Sequence, residues 1–126
     1  MEAGARCRAA RLLPLLLLLS LLTAPARGAC DVRFVRVNNT AGAVTINLDQ
    51  IMVYSSAGVN VAYKQATTCL SVLSASYPCA NLVSGSTVQT SAETFYNSAG
   101  SGPNEFAEID LGATYSVQNI TVYNRV

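Results

Sequence analysis

The sequence of 126 residues contains no histidine and no tryptophan, and only 12% of its residues carry a charge. Catalytic triads, catalytic dyads and zinc sites that use an imidazole are therefore excluded. The acidic residues do not indicate catalysis either. Glu108 and Asp110 share a face of one predicted strand, where solvated carboxylates are the ordinary case. Glu93 and Glu105 lie in loop-like sequence without a visible partner. We expect no enzymatic activity.

The chain also lacks the pattern of a long helix, since no window of about 11 residues sustains apolar residues at i, i+3 and i+4. Short alternating segments, typical of half-buried strands, are separated by turns rich in Asn, Gly and Ser. Gly112 predicts a turn between the last two segments, and the polar stretch 67–101 predicts loops with two short strands or one helical turn. The pattern predicts one all-β domain, an antiparallel β-sandwich, with strands over residues 31–37, 44–48, 51–54, 106–111 and 117–123.

The first 28 residues have the layout of a secretory signal peptide. Three arginines form a basic start, an apolar run follows over residues 12–22, and small residues at 24–28 complete the segment. The run is far shorter than the roughly 20 residues that span a bilayer. We therefore expect a secreted, extracellular protein whose domain covers residues 29–126.

Cleavage changes the charge of the chain. The first 28 residues contain four arginines and one glutamate, so their removal turns the net charge of +1 into −2. Nucleic acids and anionic membranes attract proteins through clustered basic side chains. Neither partner is expected for a weakly acidic domain.

Three of the four cysteines remain after cleavage, because Cys7 belongs to the signal peptide. The secretory route is oxidising and favours disulfides. Cys69 and Cys79 are close in sequence and flank a serine-rich loop, so we expect them to pair. Cys30 is then left free or pairs between chains.

Two segments match the acceptor pattern for N-linked glycosylation, at Asn38 and at Asn119. Asn38 lies at a predicted turn, whereas Asn119 lies on a predicted strand, on the face opposite Ile120 and Val122. Both are therefore candidate glycosylation sites of a secreted chain.

Residues 108–112 and 120–125 together resemble the central signature of discoidin domains, also called coagulation-factor type C domains. Upstream, residues 58–67 resemble the opening strand of that domain, and residues 78–86 resemble its loop ending in Val-Asp-Gly-Asn. These blocks stand in the same order as in the family and cover about half of the chain. The resemblance implies a jelly-roll-like β-sandwich of the galactose-binding-like superfamily.

The resemblance also implies that the domain is partial. Many discoidin domains join their two ends through the first and last cysteines, and the family continues through several strands beyond the position of Arg125. We accordingly expect partly uncovered core residues and association through open strand edges. The residues expected to lose cover are Ile109, Leu111, Ile120 and Val122.

The function that the resemblance implies is non-catalytic binding of carbohydrate by loops at one end of the sandwich. The candidate residues are aromatic and polar side chains in or beside predicted loops. Two alternatives stay open: a protein or extracellular-matrix adhesion module, and an accessory binding domain of a secreted carbohydrate-active enzyme. The candidates are Tyr63, Tyr77, Asn81, Phe95 and Tyr96.

Calcium binding is the one metal function that the resemblance suggests. In some relatives, notably fucose-binding lectins, the loop equivalent to residues 81–86 binds Ca²⁺, which makes Asn81, Ser84 and Ser86 candidate ligands. Ser84 and Ser86 replace the Asp and Asn of the family loop, and Ca²⁺ prefers six to eight oxygens including carboxylates. Calcium is therefore not favoured, and no cofactor is expected. The histidine of the fucose-binding pattern is also missing from the sequence.

Secreted protein is expected to begin at Ala29, or failing that at Arg27, because Ala26 and Gly28 supply the small residues that signal peptidase requires. N-terminal sequencing of the protein from the culture medium checks this. Secreted material that begins at Met1 would contradict a cleaved signal peptide.

Overall fold

The computed structural model describes residues 2–3, 30–40, 42–87 and 94–125. In this part of the chain the structure contains strands and one short 3₁₀ helix, which covers Cys79–Val83. Most of the predicted signal peptide lies outside the described residues. The strands are β1 (Glu2–Ala3), β2 (Cys30–Asn38), β3 (Asn47–Ser55), β4 (Ala66–Cys69), β5 (Tyr96–Asn97) and β6 (Phe106–Asn124).

All strand pairs are antiparallel and belong to one curled sheet of order β1-β2-β6-β3-β5, with β4 paired to β6 as well. The predicted all-β, sandwich-like antiparallel fold is thus confirmed. The prediction for the polar stretch is confirmed too, since it contains β4, β5 and the 3₁₀ helix. Residues 58–65, which resemble the opening strand of a discoidin domain, form turns and a single bridge between Tyr54 and Asn60.

β6 is one strand of 19 residues, where the sequence predicted two strands and a turn. Gly112 has a positive φ of 78°, as the turn prediction requires. The register with β2 nevertheless resumes beyond it, because Val32 lies opposite Tyr115 while Phe34 lies opposite Asp110. The glycine therefore produces a bulge that bends β6 without ending its pairing.

The register shift that accompanies this bulge turns Arg33 outward. Simple alternation would place Arg33 on the side of Val35, but the register of β2 shifts between Val32 and Phe34. Val32 and Val35 are buried, while Arg33 and Phe34 are both exposed. Arg33 thereby reaches the outer face of β6.

On that outer face the two acids of β6 form ion pairs with arginines of β2. Arg33 donates two hydrogen bonds of 3.0 Å to the carboxylate of Asp110, and Arg36 donates one of 2.8 Å to Glu108. The bonds from Arg33 and a backbone bond from the N–H of Gly112 lower the pKa of Asp110. Glu108 and Asp110 therefore contribute to pairing between strands, each with a cationic partner.

The core lies inside the curl of the sheet and is covered by the 3₁₀ helix. The disulfide between Cys69 and Cys79 ties β4 to this helix with a Cα–Cα distance of 6.2 Å, which confirms the predicted pair. The side chain of Cys30 lies outside the described residues, so its state stays a prediction. The largest fully buried apolar side chains are those of Tyr96, Ile46, Leu48, Ile51, Leu82, Ile109 and Leu111.

The expected loss of core cover is wrong for Ile109 and Leu111, which are 0% and 1% exposed. Both lie on the part of β6 that the 3₁₀ helix, β2 and β4 enclose. The C-terminal part of β6 is less covered, since Ile120 is only partly buried and Val122 is 38% exposed. Incomplete cover is thus confined to the end of the strand.

Replacing Ile109 with alanine is expected to lower the free energy of unfolding by about 2–5 kcal/mol, because the site is completely buried. Val122→Ala removes a partly exposed side chain from the same strand and should cost roughly 1 kcal/mol or less. Urea denaturation of both variants measures the difference. Equal losses would show that the two halves of β6 are equally packed.

The Arg33–Asp110 pair predicts a pH dependence. Because its folded pKa is lowered, Asp110 stabilises the protein above the unfolded pKa of about 3.9, and this contribution disappears as the pH falls through the folded value. At neutral pH the wild type should therefore be more stable than Asp110→Asn, and it should lose that advantage as the pH falls below the folded pKa of Asp110. The effect is small for an exposed pair.

The double-mutant cycle with Arg33→Gln supplies the control for this pH dependence. Without the guanidinium, Asp110→Asn should change stability less at neutral pH than it does in wild type. An undiminished effect would mean that Asp110 acts through the N–H of Gly112 alone.

Candidate functional site

The 3₁₀ helix carries a candidate binding surface at each of its ends. The sequence candidates Tyr77 and Asn81 lie at its start, while Ser84 and Ser86 follow its last residue. Leu82 is completely buried in the core, and the disulfide holds the first turn. Both surfaces therefore stand on a fixed element.

We call the first one the Tyr63 surface, and it consists of Tyr63, Lys64, Ser84, Gly85 and Ser86. The ring of Tyr63 is 49% exposed and packs against Gly85. A Cβ atom at Gly85 would lie 2.6 Å from Cε2 of the ring, and the φ of Gly85 is +85°. Only glycine combines this backbone angle with so close an approach.

The backbone on the other side of the Tyr63 surface is also constrained. Lys64 has a positive φ of 56°, which is uncommon for a residue with a side chain. Its N–H donates a 2.9 Å hydrogen bond to the carbonyl of Val83, which joins this turn to the helix end. The ammonium of Lys64 lies 5.1 Å from the centroid of the Tyr63 ring. The surface thus combines an aromatic ring with a cation.

A buried glutamine on β3 holds the loop that carries Gly85. Gln50 is completely buried, and its Oε1 accepts hydrogen bonds from Oγ of Ser84 at 3.2 Å and from the N–H of Gly85 at 3.3 Å. The N–H of Ser86 in turn donates to Oγ of Ser84. The loop is therefore ordered by the protein's own contacts.

The candidate calcium ligands take part in this internal bonding. Asn81 donates from Nδ2 to the carbonyl of Phe95 at 2.9 Å, and Ser84 bonds Gln50. In the part of the chain that the structure describes, no group of three or more His, Cys, Asp or Glu side chains could hold a metal ion. Asn81 and Ser84 thus have structural roles in the loop.

We call the second one the Tyr77 surface, and it consists of Tyr77, Asn81, Phe95 and Arg125. The rings of Tyr77 and Phe95 have centroids 4.9 Å apart, and the guanidinium of Arg125 lies 4.1 Å from the Phe95 centroid. Phe95 is buried, Tyr77 is half-buried and Arg125 is exposed. Arg125 was not predicted as a site residue from the sequence, because nothing in its own segment indicates a contact with Phe95.

Tyr96 is excluded as a sugar-stacking residue, contrary to the expectation from the sequence. It is 0% exposed, and its hydroxyl donates a 3.0 Å hydrogen bond to the carbonyl of Ser71. Burial, with a smaller effect from the charge of Glu105, raises the pKa of Tyr96 to about 12. A ring that is enclosed in the core cannot contact a ligand.

Glu105, which had no visible partner in the sequence, is 5% exposed and anchors two loops. The hydroxyl of Ser71 lies 2.9 Å from both of its carboxylate oxygens and accepts backbone hydrogen bonds from Ala99 and Gly100. A Cβ atom at Gly100 would overlap the Glu105 carboxylate. No local pattern could have revealed this contact, since it joins residues far apart in sequence.

Both candidate glycosylation sites are accessible. Asn38 is the last residue of β2 and is exposed. Asn119 is exposed on β6, and its Nδ2 lies 3.3 Å from Oγ1 of Thr121, the third residue of its own acceptor pattern. Their modification stays a prediction.

No helix within the described ranges is long and apolar enough to cross a membrane. The chain was compared with protein-family models, with curated proteins and with solved structures, and none of them matches it. Function is therefore inferred from the two surfaces and from the sequence.

Gly85→Ala is expected to displace the Tyr63 ring, because the new methyl group would overlap it. Gly58→Ala is the matched control: its φ is +75°, yet a Cβ there meets nothing within 4 Å. Both variants should lose about 1 kcal/mol of stability through backbone strain. Only Gly85→Ala should shift the NMR resonances of the Tyr63 ring protons, and unchanged resonances would contradict the packing described.

Proposed function

We propose that this chain is a secreted, non-catalytic binding module that binds carbohydrate on the Tyr63 surface. The observation that carries the proposal is the half-exposed ring of Tyr63, held in place by Gly85 on an ordered loop. A ring fixed before binding loses little conformational entropy when a ligand arrives. Such preorganisation favours binding of a small ligand that stacks on the ring.

The chemistry of the Tyr63 surface suits a sugar. The apolar C–H face of a pyranose stacks on the ring, while the phenol, the ammonium of Lys64 and nearby backbone groups bond its hydroxyls. Orientation in ligand sites comes from a small number of polar groups placed around an apolar contact. Tyr63 and Lys64 supply both kinds of contact side by side.

The Tyr77 surface extends the same proposal to a longer saccharide. A five-residue 3₁₀ helix is about 10 Å long, so a chain of sugars lying along it would reach both ends. At the far end Arg125 presents a planar guanidinium with its donors in a fixed fork. That group bonds hydroxyls or a sugar carboxylate.

The resemblance to discoidin domains and the disulfide support an extracellular binding role. The signature segments 108–112 and 120–125 both lie on β6, and the loop 78–86 contains the 3₁₀ helix between the two surfaces. A disulfide is typical of proteins that pass through an oxidising compartment. These features support the proposal that the chain is a discoidin-like, galactose-binding-like module.

A protein or matrix adhesion module is the second candidate, favoured by one exposed apolar segment. Leu70, Val72 and Leu73 are 56%, 39% and 53% exposed. The segment is held in place, because the N–H of Leu73 donates to the carbonyl of Asn97 at 2.8 Å and Ser71 bonds Glu105. Ordered apolar surface of this kind is typical of protein interaction sites.

Tyr63→Ala in the secreted full-length chain is expected to weaken binding on a glycan array by about tenfold or more. Phe34→Ala is the matched control, because Phe34 is 52% exposed and lies on the outer face of β2, away from the 3₁₀ helix. Its binding should equal that of wild type. Equal loss in both variants would argue against a specific contact at Tyr63.

The adhesion alternative is tested with the same protein. Leu70→Ser and Leu73→Ser together should leave glycan binding unchanged if the Tyr63 surface carries function. Binding to extracellular-matrix proteins that is lost in this double variant and kept in Tyr63→Ala would instead support adhesion through the apolar segment.

A further inference from the structure

Among the described residues, no strand covers one edge of β6 over its C-terminal part. β2 pairs with β6 only as far as Cys30, which lies opposite Val117, whereas β3 pairs with the opposite edge as far as Asn124. Within the described ranges, no strand pairs with the β2-side edge of residues 118–123. Among the described strands, its backbone N–H and C=O groups thus meet no other strand, and such an edge can pair with a further strand.

This open edge lacks the features that usually prevent association. Residues 118–123 are Gln-Asn-Ile-Thr-Val-Tyr, with no charge, no proline and no glycine. By contrast β2, which pairs with the same edge of β6 over residues 106–117, carries Asp31, Arg33 and Arg36. Charged side chains protect strand edges, while neutral segments rich in β-branched and aromatic residues promote strand addition.

The open edge is complementary to itself. In an antiparallel pair with its two-fold axis at Thr121, Ile120 lies opposite Val122 of a second copy, and Asn119 lies opposite Tyr123. The partly buried Ile120 and the 38% exposed Val122 would continue the core-facing row across the junction. Neutral apolar pairs directly opposite one another stabilise such a ladder.

The same six residues contain a glycan acceptor, Asn119, whose side chain is exposed. We infer that residues 118–123 are the self-association surface of this chain, pairing antiparallel with a second copy, and that a glycan on Asn119 blocks this pairing. The glycan stands on the face of the strand, directly beside the position of Tyr123 of the second copy, so its bulk opposes this pairing. Asn38 lies on β2 instead and has no such effect. The inference does not depend on ligand binding.

Two substitutions of Thr121 test this inference, because both abolish the acceptor pattern and only one keeps the edge neutral. The chain and its variants are secreted from eukaryotic cells, and intact mass spectrometry records the glycan and the N-terminus. Sedimentation velocity up to about 100 µM then measures association. Thr121→Val should dimerise at least about tenfold more strongly than glycosylated wild type. Thr121→Lys places like charges opposite each other at the two-fold axis and should stay monomeric.

Further variants distinguish the effect of the strand edge on association from the effect of the glycan. Asn119→Gln should dimerise like Thr121→Val, and Asn38→Gln should behave like wild type. Circular dichroism of Thr121→Lys controls for unfolding, and Gln118→Lys combined with Asn119→Gln supplies a second charged variant without the glycan acceptor if that protein does not fold. If Asn119 carries no glycan in wild type, wild type itself should dimerise.

Three results would overturn the inference. Thr121→Val and Asn119→Gln that stay monomeric would show that the edge does not self-associate. A folded charged variant that associates as strongly as Thr121→Val would place the contact elsewhere. Glycosylated wild type that dimerises as strongly as Thr121→Val would remove the blocking role of the glycan.

Discussion

The sheet depends on a single strand that satisfies the backbone hydrogen bonds of three others. β6 pairs with β2 on one edge and with β4 and β3 in succession on the other edge. Backbone polar groups that lose water must find partners within the protein, and here one 19-residue segment supplies most of them. β6 pairs with β4 over residues 107–110 and with β3 over residues 117–124, and the bend at Gly112 lies between these two stretches. The curl and the enclosed core follow from this path.

The candidate binding surfaces are held in fixed positions because their supporting helix is joined to this sheet. The 3₁₀ helix is joined to β4 by the disulfide and to β3 through Gln50, and both strands pair with β6. A small domain with few charged residues has few ion pairs with which to hold its loops. Covalent and buried polar contacts therefore replace the ion pairs and helices that support sites in larger proteins. Tyr63 and Arg125 stand at opposite ends of the same fixed element.

Alternation of apolar and polar residues sufficed to predict the all-β class and most strand positions, because burial of one face dictates a period of two. The same rule failed at Arg33 and Gly112, where a bulge changes the period and no sequence signal distinguishes it from a turn. Site residues were harder to predict. Tyr63 and Tyr96 look alike in sequence, yet one is half-exposed and the other enclosed, since loop packing depends on contacts between distant segments such as Ser71 and Glu105.

The position of β6 in the chain has a consequence for folding. β2, β3 and β4 all precede it, so their main partner is synthesised after them. During synthesis these strands remain without their ladders until β6 has been made, while the bond between Cys69 and Cys79 can already close. Pairing between distant segments makes folding slow and leaves apolar strands exposed in the meantime. The sheet can therefore be completed only after β6 has been synthesised.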